Sequence, residues 1–203
     1  MTNRIRLATA ADGPALAAIY APAVASPTSF ELQPPDDAEM GRRVERITAR
    51  TPWLVCVHDE QVAGYAYAGV HRDRPAYQWS MEVSAYVRAD FHRGGVGRAL
   101  YTSLFAVLAL QGFRNVYAGI TLPNPASVGL HQALGFSPVG VFHAIGYKLG
   151  AWHDVMWLER AIGAHDAAPA EPTLLPALRD TPAFRAALAT GLDALHVRQR
   201  SPS

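Results

Sequence analysis

The chain has 203 residues, 50% of them hydrophobic, and a formal net charge of +1 at pH 7. This length and composition suffice for one sizeable core, while a nearly neutral chain lacks the basic field that nucleic-acid binding needs. A single cysteine excludes a disulfide framework and a cysteine-rich zinc site, and no apolar run approaches the roughly 20 residues that span a bilayer. Residues 1–4 lead into a short predicted strand rather than the apolar segment of a signal peptide, so we expect a soluble, cytoplasmic protein.

Hydrophobic periodicity predicts alternating strands and helices over the first 160 residues. The predicted elements are, in chain order, a strand over 5–8, helices over 11–24 and 36–50, strands over 53–58, 62–70 and 78–87, a helix over 96–112, a strand over 116–121, a helix over 124–134, and strands over 139–145 and 155–158. Strands mixed with helices, with a glycine-rich loop after the middle strand, predict an α/β fold with a mixed sheet.

The composition changes after residue 162. Residues 165–182 are rich in alanine and proline, which predicts a linker, and Thr181 and Pro182 are suited to begin a helix. The apolar residues that then repeat at helical spacing are Phe184, Leu188, Leu192 and Leu195. We therefore divide the chain into a domain over 1–162 and a linker with a helical tail over 163–203. The tail helix either packs on the domain, is poorly ordered, or binds a partner.

A glycine-rich loop, residues 92–98, separates the predicted strand 78–87 from the helix that follows. Such a loop directs free backbone N–H groups and the positive end of the helix dipole at one point, and Arg93 and Arg98 add charged donors. The loop therefore predicts a pyrophosphate site. It lacks the Gly-Lys of a P-loop and the third glycine of a dinucleotide fingerprint, and a plain glycine turn before a helix is the alternative.

Two further motifs follow this loop. Residues 122–136 contain Leu-Pro-Asn-Pro-Ala-Ser, Leu-His and Leu-Gly-Phe in that order, and residues 146–155 read Gly-Tyr-Lys-Leu-Gly-Ala-Trp-His-Asp-Val. Together with the loop they resemble the GCN5-related N-acetyltransferases (GNAT), whose acetyl-CoA loop has the pattern Gln/Arg-x-x-Gly-x-Gly/Ala; His92 departs from it at the first position. Within that family, the segments are similar to the phosphinothricin acetyltransferases and related amino-acid N-acetyltransferases, over residues 4–160.

The resemblance implies a mostly antiparallel central sheet flanked by helices, acetyl-CoA as co-substrate without a metal, and a homodimer. It also implies acetyl transfer to the α-amino group of a small amino acid or analogue, such as phosphinothricin or methionine sulfoximine or sulfone. The residues that it assigns to acetyl-CoA are Ala85, Tyr86 and Val87 for the pantetheine arm, Arg93, Gly94, Gly95, Val96, Gly97 and Arg98 for the pyrophosphate, and Asn124 and Ser127 on the next helix.

Glu82 is the candidate general base. Strand alternation puts Glu82, Ser84 and Tyr86 on one face of the strand that precedes the loop. A carboxylate in a central strand is costly to bury, and a protonated amine must lose a proton before it can attack a thioester. By resemblance, Glu82 matches the proposed base of the phosphinothricin enzymes; a structural ion pair is the alternative.

His131 is the second candidate catalytic residue. Helical spacing puts it on one face with Asn124 and Ser127. Histidine changes its charge near neutral pH, so His131 could protonate the sulfur of CoA or assist in deprotonating the amine. Without the surrounding motif, a structural histidine would be the simpler interpretation.

Arg72, Arg74 and Tyr77 are the candidate substrate-binding residues, because the resemblance places them near the acidic groups of the substrate. Guanidinium groups pair bidentately with carboxylate or phosphinate, although a solvated charged turn is the alternative. In the 146–155 motif, Lys148, Trp152, His153 and Asp154 either shape the pocket or form a dimer contact. His153 and Asp154 lack the further ligands of a metal site.

Several alternatives to this function stay open from the sequence. Cys56 lies in an apolar strand, which favours a buried thiol over an acetyl carrier, and therefore direct transfer in a ternary complex. The amine could instead be a polyamine or a protein N-terminus. A non-catalytic acyl-CoA sensor would need the loop but neither Glu82 nor His131, and a phosphate-binding structural protein would need only the loop.

Overall fold

A computed structural model describes residues 2–196, and the last part of the predicted tail, 197–203, lies outside that range. The strands are β1 (Asn3–Leu7), β2 (Trp53–His58), β3 (Gln61–Val70), β4 (Ser80–Val87), β5 (Asn115–Thr121), β6 (Ser137–Lys148) and β7 (Ala151–Ala161). The α-helices are α1 (Gly13–Val24), α2 (Asp37–Thr48), α3 (Val96–Gln111), α4 (Pro125–Ala133) and α5 (Pro182–Ala189). No helix within the described range is both long and apolar enough to cross a membrane.

The strands form one sheet in the order β1-β2-β3-β4-β5-β7-β6. Every neighbouring pair is antiparallel except β4 and β5, which are parallel. The predicted mixed, mostly antiparallel sheet is confirmed. The parallel pair is short: it joins Ser80–Glu82 to Asn115–Tyr117, and β4 then continues beside β3 alone.

Helices cover both faces of the sheet. Strand β2 is apolar throughout because both of its faces are buried. Leu54 and Cys56 belong to the core under α3, while Trp53 and Val55 belong to the core under α1 and α2. A strand buried on both faces reads as a continuous hydrophobic run rather than an alternating one. Cys56 is fully buried, and burial raises the pKa of its thiol to about 11, as expected for a core residue.

The β6–β7 hairpin is longer than the sequence predicted, with 12 and 11 residues in place of two short strands. Its register shifts between Phe142 and Gly146, where Ala144 adopts a φ of +48°. Most of β6 is exposed, so its side chains do not follow the apolar alternation on which a strand prediction depends.

The tail packs across the outer side of α3. Phe184 and Ala187 of α5 are buried against Val107 and Leu175. The helix ends at Ala189, and residues 192–194 form a separate short 3₁₀ turn, so the single periodic helix predicted through residue 195 is wrong.

We predict that Phe184→Ala lowers the free energy of unfolding by about 3 to 5 kcal/mol, because the ring is 2% exposed and its removal leaves a cavity. Chemical denaturation of the full chain measures this. Leu174→Ala, at a side chain that is 53% exposed, is the matched control and should change stability by less than about 0.5 kcal/mol. Equal effects of the two substitutions would show that the tail is not part of the packed core.

Candidate active site

The central feature of the site is the gap that opens where β4 and β5 separate. Their pairing ends at Glu82 and Tyr117, so residues 83–87 of β4 have β3 on one side and the gap on the other. Alternate backbone N–H and C=O groups of these residues therefore face the gap. A narrow cavity fills it, lined by residues 83–86 of β4 and 118–121 of β5. The free strand edge suits an extended, amide-containing chain such as pantetheine.

The glycine-rich loop borders a second cavity next to this gap. Gly95 has a φ of +79°, a conformation that favours glycine, and α3 begins directly after it. The first N–H groups of a helix have no acceptor within the helix, so they are available to an anion. The predicted acetyl-CoA residues that line this cavity are Ala85, Val87, Arg93, Gly95, Val96, Gly97, Arg98 and Ser127. The residues present fit a pyrophosphate.

The remaining predicted acetyl-CoA residues lie nearby. Tyr86 and Asn124 line the narrow cavity in the gap, whereas Gly94 is a buried residue of the loop and lines neither cavity. The side-chain oxygen of Asn124 accepts a hydrogen bond from the Ser127 N–H at 3.1 Å and caps α4, which leaves the amide NH₂ of Asn124 to face a ligand. His92, which departs from the family pattern, bonds through Nε2 to the Val87 carbonyl at 3.0 Å and fixes the loop to the end of β4.

His131 forms a buried pair with Tyr101, a residue that the sequence did not single out. The Nδ1 of His131 lies 2.8 Å from the Ser127 carbonyl and must donate to it, since a carbonyl only accepts. Burial lowers the pKa of His131, so at neutral pH Nε2 is unprotonated and accepts from the Tyr101 hydroxyl at 3.1 Å. Burial also raises the pKa of Tyr101 far above its usual value. Both residues line the narrow cavity and the cavity beside the loop.

Glu82 lies in a third cavity on the other side of the gap. Burial raises the pKa of Glu82 above its ordinary value, and the positive charge of Arg72, which lines the same cavity, works in the opposite direction. The nearest ion-pair candidate is His71, whose Nδ1 lies 3.9 Å from a Glu82 carboxylate oxygen. Burial, followed by the charge of Arg72, lowers the pKa of His71, so this histidine does not neutralise Glu82 at neutral pH.

The positions of the other candidate substrate residues differ. Arg72 lines the Glu82 cavity, whereas Arg74 and Tyr77 line a separate surface pocket on the far side of Arg72. Of the three predicted substrate-binding residues, the structure therefore places Arg72 in the cavity of Glu82 and the other two outside it. The predictions also missed His71, which stacks on Tyr117 with ring centroids 4.4 Å apart. His71 and Tyr117 are far apart in the sequence, so no local sequence pattern could predict that their rings stack.

Two further segments contribute to the walls of the Glu82 cavity: the one between α1 and α2, which the sequence did not predict, and the hairpin, whose 146–155 motif was predicted to shape the pocket or form a dimer contact. Thr28, Ser29 and Phe30 lie in the segment between α1 and α2, and the residues from the hairpin strands are Phe142, Ile145, Val155 and Trp157. The two segments touch where Phe30 packs over Gly146, since a Cβ at Gly146 would overlap the Phe30 ring. Glycine at this position lets the hairpin approach the loop.

Lys148 fastens the same two segments together. Its ammonium group is buried, and its three N–H groups are shared among the carbonyls of Val24, Ser26, Ser29 and Glu31, at 2.5 to 2.9 Å from Nζ. The side chain thus reaches from the end of β6 to the segment that carries Thr28 and Phe30. We infer that Lys148 shapes the pocket by holding this segment in place.

The other residues of the 146–155 motif have structural contacts. His153 Nε2 lies 3.0 Å from the Lys148 carbonyl, and Asp154 bonds to His143 at 3.1 Å and to the Ala144 N–H at 2.8 Å. Trp152 is 65% exposed. Within residues 2–196, no group of three or more His, Cys, Asp or Glu residues could hold a metal ion.

Comparison with known proteins agrees with this geometry. Residues 5–157 match the model of the acetyltransferase (GNAT) domain, so the chain belongs to the GNAT family and is an acetyl-CoA-dependent N-acetyltransferase. It is 43% identical to the phosphinothricin N-acetyltransferase of Streptomyces viridochromogenes over 157 residues, which cover 77% of this chain and 86% of that relative. It is 40% identical to the enzyme of the same name from Alcaligenes faecalis, over 80% of this chain and 84% of that relative.

A solved structure shows the same fold with the co-substrate bound. The phosphinothricin acetyltransferase from Sinorhizobium meliloti, in complex with acetyl-CoA, superposes with a TM-score of 0.79 at 36% identity and covers 84% of this chain and 95% of that one. The fold and the cavity beside the loop are therefore those of an acetyl-CoA enzyme.

We predict that Lys148→Met lowers the free energy of unfolding by about 2 to 3 kcal/mol, because the four carbonyls lose their shared donor. The KM for the amine substrate should rise, and the dissociation constant of CoA should change much less. The affected segment contributes Thr28, Ser29 and Phe30 to the Glu82 cavity, only Thr28 to the gap, and no residue to the cavity beside the loop. Arg42→Met, which removes the same charge from an exposed site, is the control for denaturation and steady-state kinetics. A rise in the CoA dissociation constant instead would contradict this assignment.

Proposed function

We propose that this chain transfers the acetyl group of acetyl-CoA to the α-amino group of phosphinothricin or a similar small acidic amino-acid analogue. One observation carries the proposal: the cavity that holds Glu82 and Arg72 opens onto the gap beside the acetyl-CoA loop. The residues that line both spaces are Thr28, Ser84, Tyr86, Gly119 and Thr121. An amine in the Glu82 cavity can therefore meet a thioester held in the gap.

Glu82 is the base that activates the amine. Acetyl-CoA supplies the acetyl group as an activated thioester. The substrate ammonium gives one proton to Glu82, directly or through one water, and the free amine then forms the N–C bond as the C–S bond breaks. The raised pKa of Glu82 suits this role, because a base works best when its pKa approaches the operating pH.

Tyr101 and His131 transfer the second proton of the reaction from the substrate nitrogen to the sulfur of CoA. The attacking nitrogen keeps one proton too many after the N–C bond forms, and the departing thiolate needs one. His131 has an unprotonated Nε2 that Tyr101 contacts at 3.1 Å, so the pair can accept the nitrogen's proton and pass it to sulfur. In this scheme His131 has both of its possible roles, because it helps to deprotonate the amine and then to protonate the sulfur of CoA.

Arg72 selects an acidic substrate. Its positive charge reaches the Glu82 cavity, where it would attract a carboxylate or phosphinate and repel a cationic polyamine. The sensor alternative lacks comparable support, since binding alone has no use for a half-buried carboxylate with a raised pKa. Arg74 and Tyr77 serve in an outer pocket that the substrate passes on entry.

The assembly and location that we propose are a homodimer in the cytoplasm, where acetyl-CoA is available. A run of large apolar side chains on the hairpin supports the dimer, because such patches mark interaction surfaces. The side chains that are more than half exposed there are Val139, Ile145, Tyr147, Leu149 and Trp152.

We predict that Glu82→Gln lowers kcat/KM for phosphinothricin by about a hundredfold or more, because the amide cannot take a proton from the ammonium group. Acetyl-CoA consumption over a range of pH measures this. In the wild type, kcat/KM should fall as pH drops through the raised pKa of Glu82, since protonation removes the base, and the variant should lack that acid limb.

Glu45→Gln is the matched control, because it makes the same chemical change on the exposed surface of α2. It should leave rate and pH profile unchanged. Unaltered turnover in Glu82→Gln would remove Glu82 from the mechanism and leave His131 or water as the base. Absence of turnover by the wild type on phosphinothricin, methionine sulfone and a panel of L-amino acids would reject the proposed substrate class.

We predict that Arg72→Gln raises the KM for phosphinothricin about tenfold to a hundredfold, because a charged partner of the substrate's acidic groups is lost. Arg74→Gln removes the same charge from the outer pocket and should change KM by less than about threefold. Steady-state kinetics at fixed ionic strength separates the two. Equal increases would show that both arginines bind the substrate directly.

A further inference from the structure

After α5 the chain turns back toward the acetyl-CoA loop and is fixed there by α3. The Ser103 hydroxyl donates to the Leu188 carbonyl at 2.7 Å and accepts from the Gly191 N–H at 3.1 Å. Gly191 crosses Ala99 so closely that a Cβ would overlap the Ala99 carbonyl oxygen. The path of the tail is therefore set by contacts to the first turns of α3.

The last described residues touch the loop itself. The backbone N–H of His196 donates to the Gly94 carbonyl at 3.0 Å, and the Ala194 carbonyl occupies the space that a Cβ on Gly95 would take. The apolar residues of this turn that pack against the main core are Leu192, Ala194 and Leu195. Glycine at position 95 thus serves both the backbone conformation and the docking of the tail.

The His196 side chain faces the same cavity as the loop. Its Nδ1 lies 3.0 Å from the Ala194 carbonyl, to which it must donate, and this contact orients the ring and directs Nε2 away from that carbonyl. His196 lines the cavity together with Arg93, Gly97 and Arg98. Its ring therefore shares a cavity with two arginine side chains and the start of α3.

We propose that His196 binds a phosphate group of acetyl-CoA through Nε2, so that the tail completes the co-substrate site. Since Nδ1 already donates to the Ala194 carbonyl, Nε2 donates to a phosphate oxygen when the ring carries a second proton, so binding here takes up one proton from solvent. The arginines and the start of α3, which border the same cavity, favour an anion there. The match to the GNAT domain model ends at residue 157, so His196 lies in a part of the chain outside the shared domain.

Isothermal titration calorimetry on the full chain tests the proposal with CoA and 3′-dephospho-CoA as probes. His196→Ala should weaken CoA binding about fivefold to tenfold, and His196→Lys, which restores a positive donor, should recover most of the affinity. If the deficit of His196→Ala disappears with 3′-dephospho-CoA, the contact is to the 3′-phosphate; if it persists, the contact is to the pyrophosphate. Either result supports the proposal.

His165→Ala is the matched control, because it removes an exposed histidine elsewhere in the tail and should leave CoA affinity unchanged. CoA affinity of His196→Ala equal to or tighter than that of the wild type would overturn the proposal. So would a weakened His196→Ala that His196→Lys fails to rescue, since that pattern indicates a structural role only.

Hydrogen exchange provides a second readout that does not depend on a substitution. CoA should slow amide exchange over residues 192–196 of the wild type, because the ligand would hold His196 against Gly94; unchanged exchange would contradict the proposal. The inference rests on acetyl-CoA being the co-substrate. If the wild type fails to bind CoA, both the role of acetyl-CoA as co-substrate and the role of His196 are overturned. If the wild type and His196→Ala bind CoA equally well, only the role of His196 is overturned.

Discussion

The early end of the β4–β5 pairing is the constraint on which the site depends. Two parallel strands that paired along their full length would satisfy each other's backbone groups and close the sheet. Here the ladder stops at Glu82 and Tyr117, and the strands diverge. The divergence leaves β4 with a free edge for the co-substrate, opens a channel between the two outer cavities, and puts Glu82 at the last paired position.

Burial determines the protonation states of the titratable side chains in the cleft. Burial raises the pKa of Glu82 and lowers the pKa of both His71 and His131, so each group is moved toward its neutral form. Positive charges lie at the two ends, with Arg72 in the Glu82 cavity and Arg93 and Arg98 in the cavity beside the loop. In the proposed reaction, an acidic substrate and an anionic co-substrate would thus enter from opposite sides without sharing a binding cation.

Local sequence patterns were enough to predict the elements that carry the proposed site residues. Period-two alternation placed Glu82 on the cavity face of β4, and the glycine loop marked the start of α3 because glycine is needed where φ is positive. The pairs between distant segments could not be predicted in this way. Tyr101 meets His131 across two helices, and Lys148 bonds to carbonyls more than 100 residues earlier, so each depends on tertiary packing. The end of α5 at Ala189 also depends on such packing, since the chain turns where Gly191 meets α3.

Lys148 has a consequence for the surface of the molecule as well as for its pocket. It is the one lysine in a chain whose Lys and Arg together number 18, and its ammonium group is enclosed by four carbonyls. The other 17 are arginines, and guanidinium is a far poorer nucleophile than a lysine amine because it stays protonated. A protein that works beside a reactive thioester therefore exposes no lysine side chain to chemical acetylation.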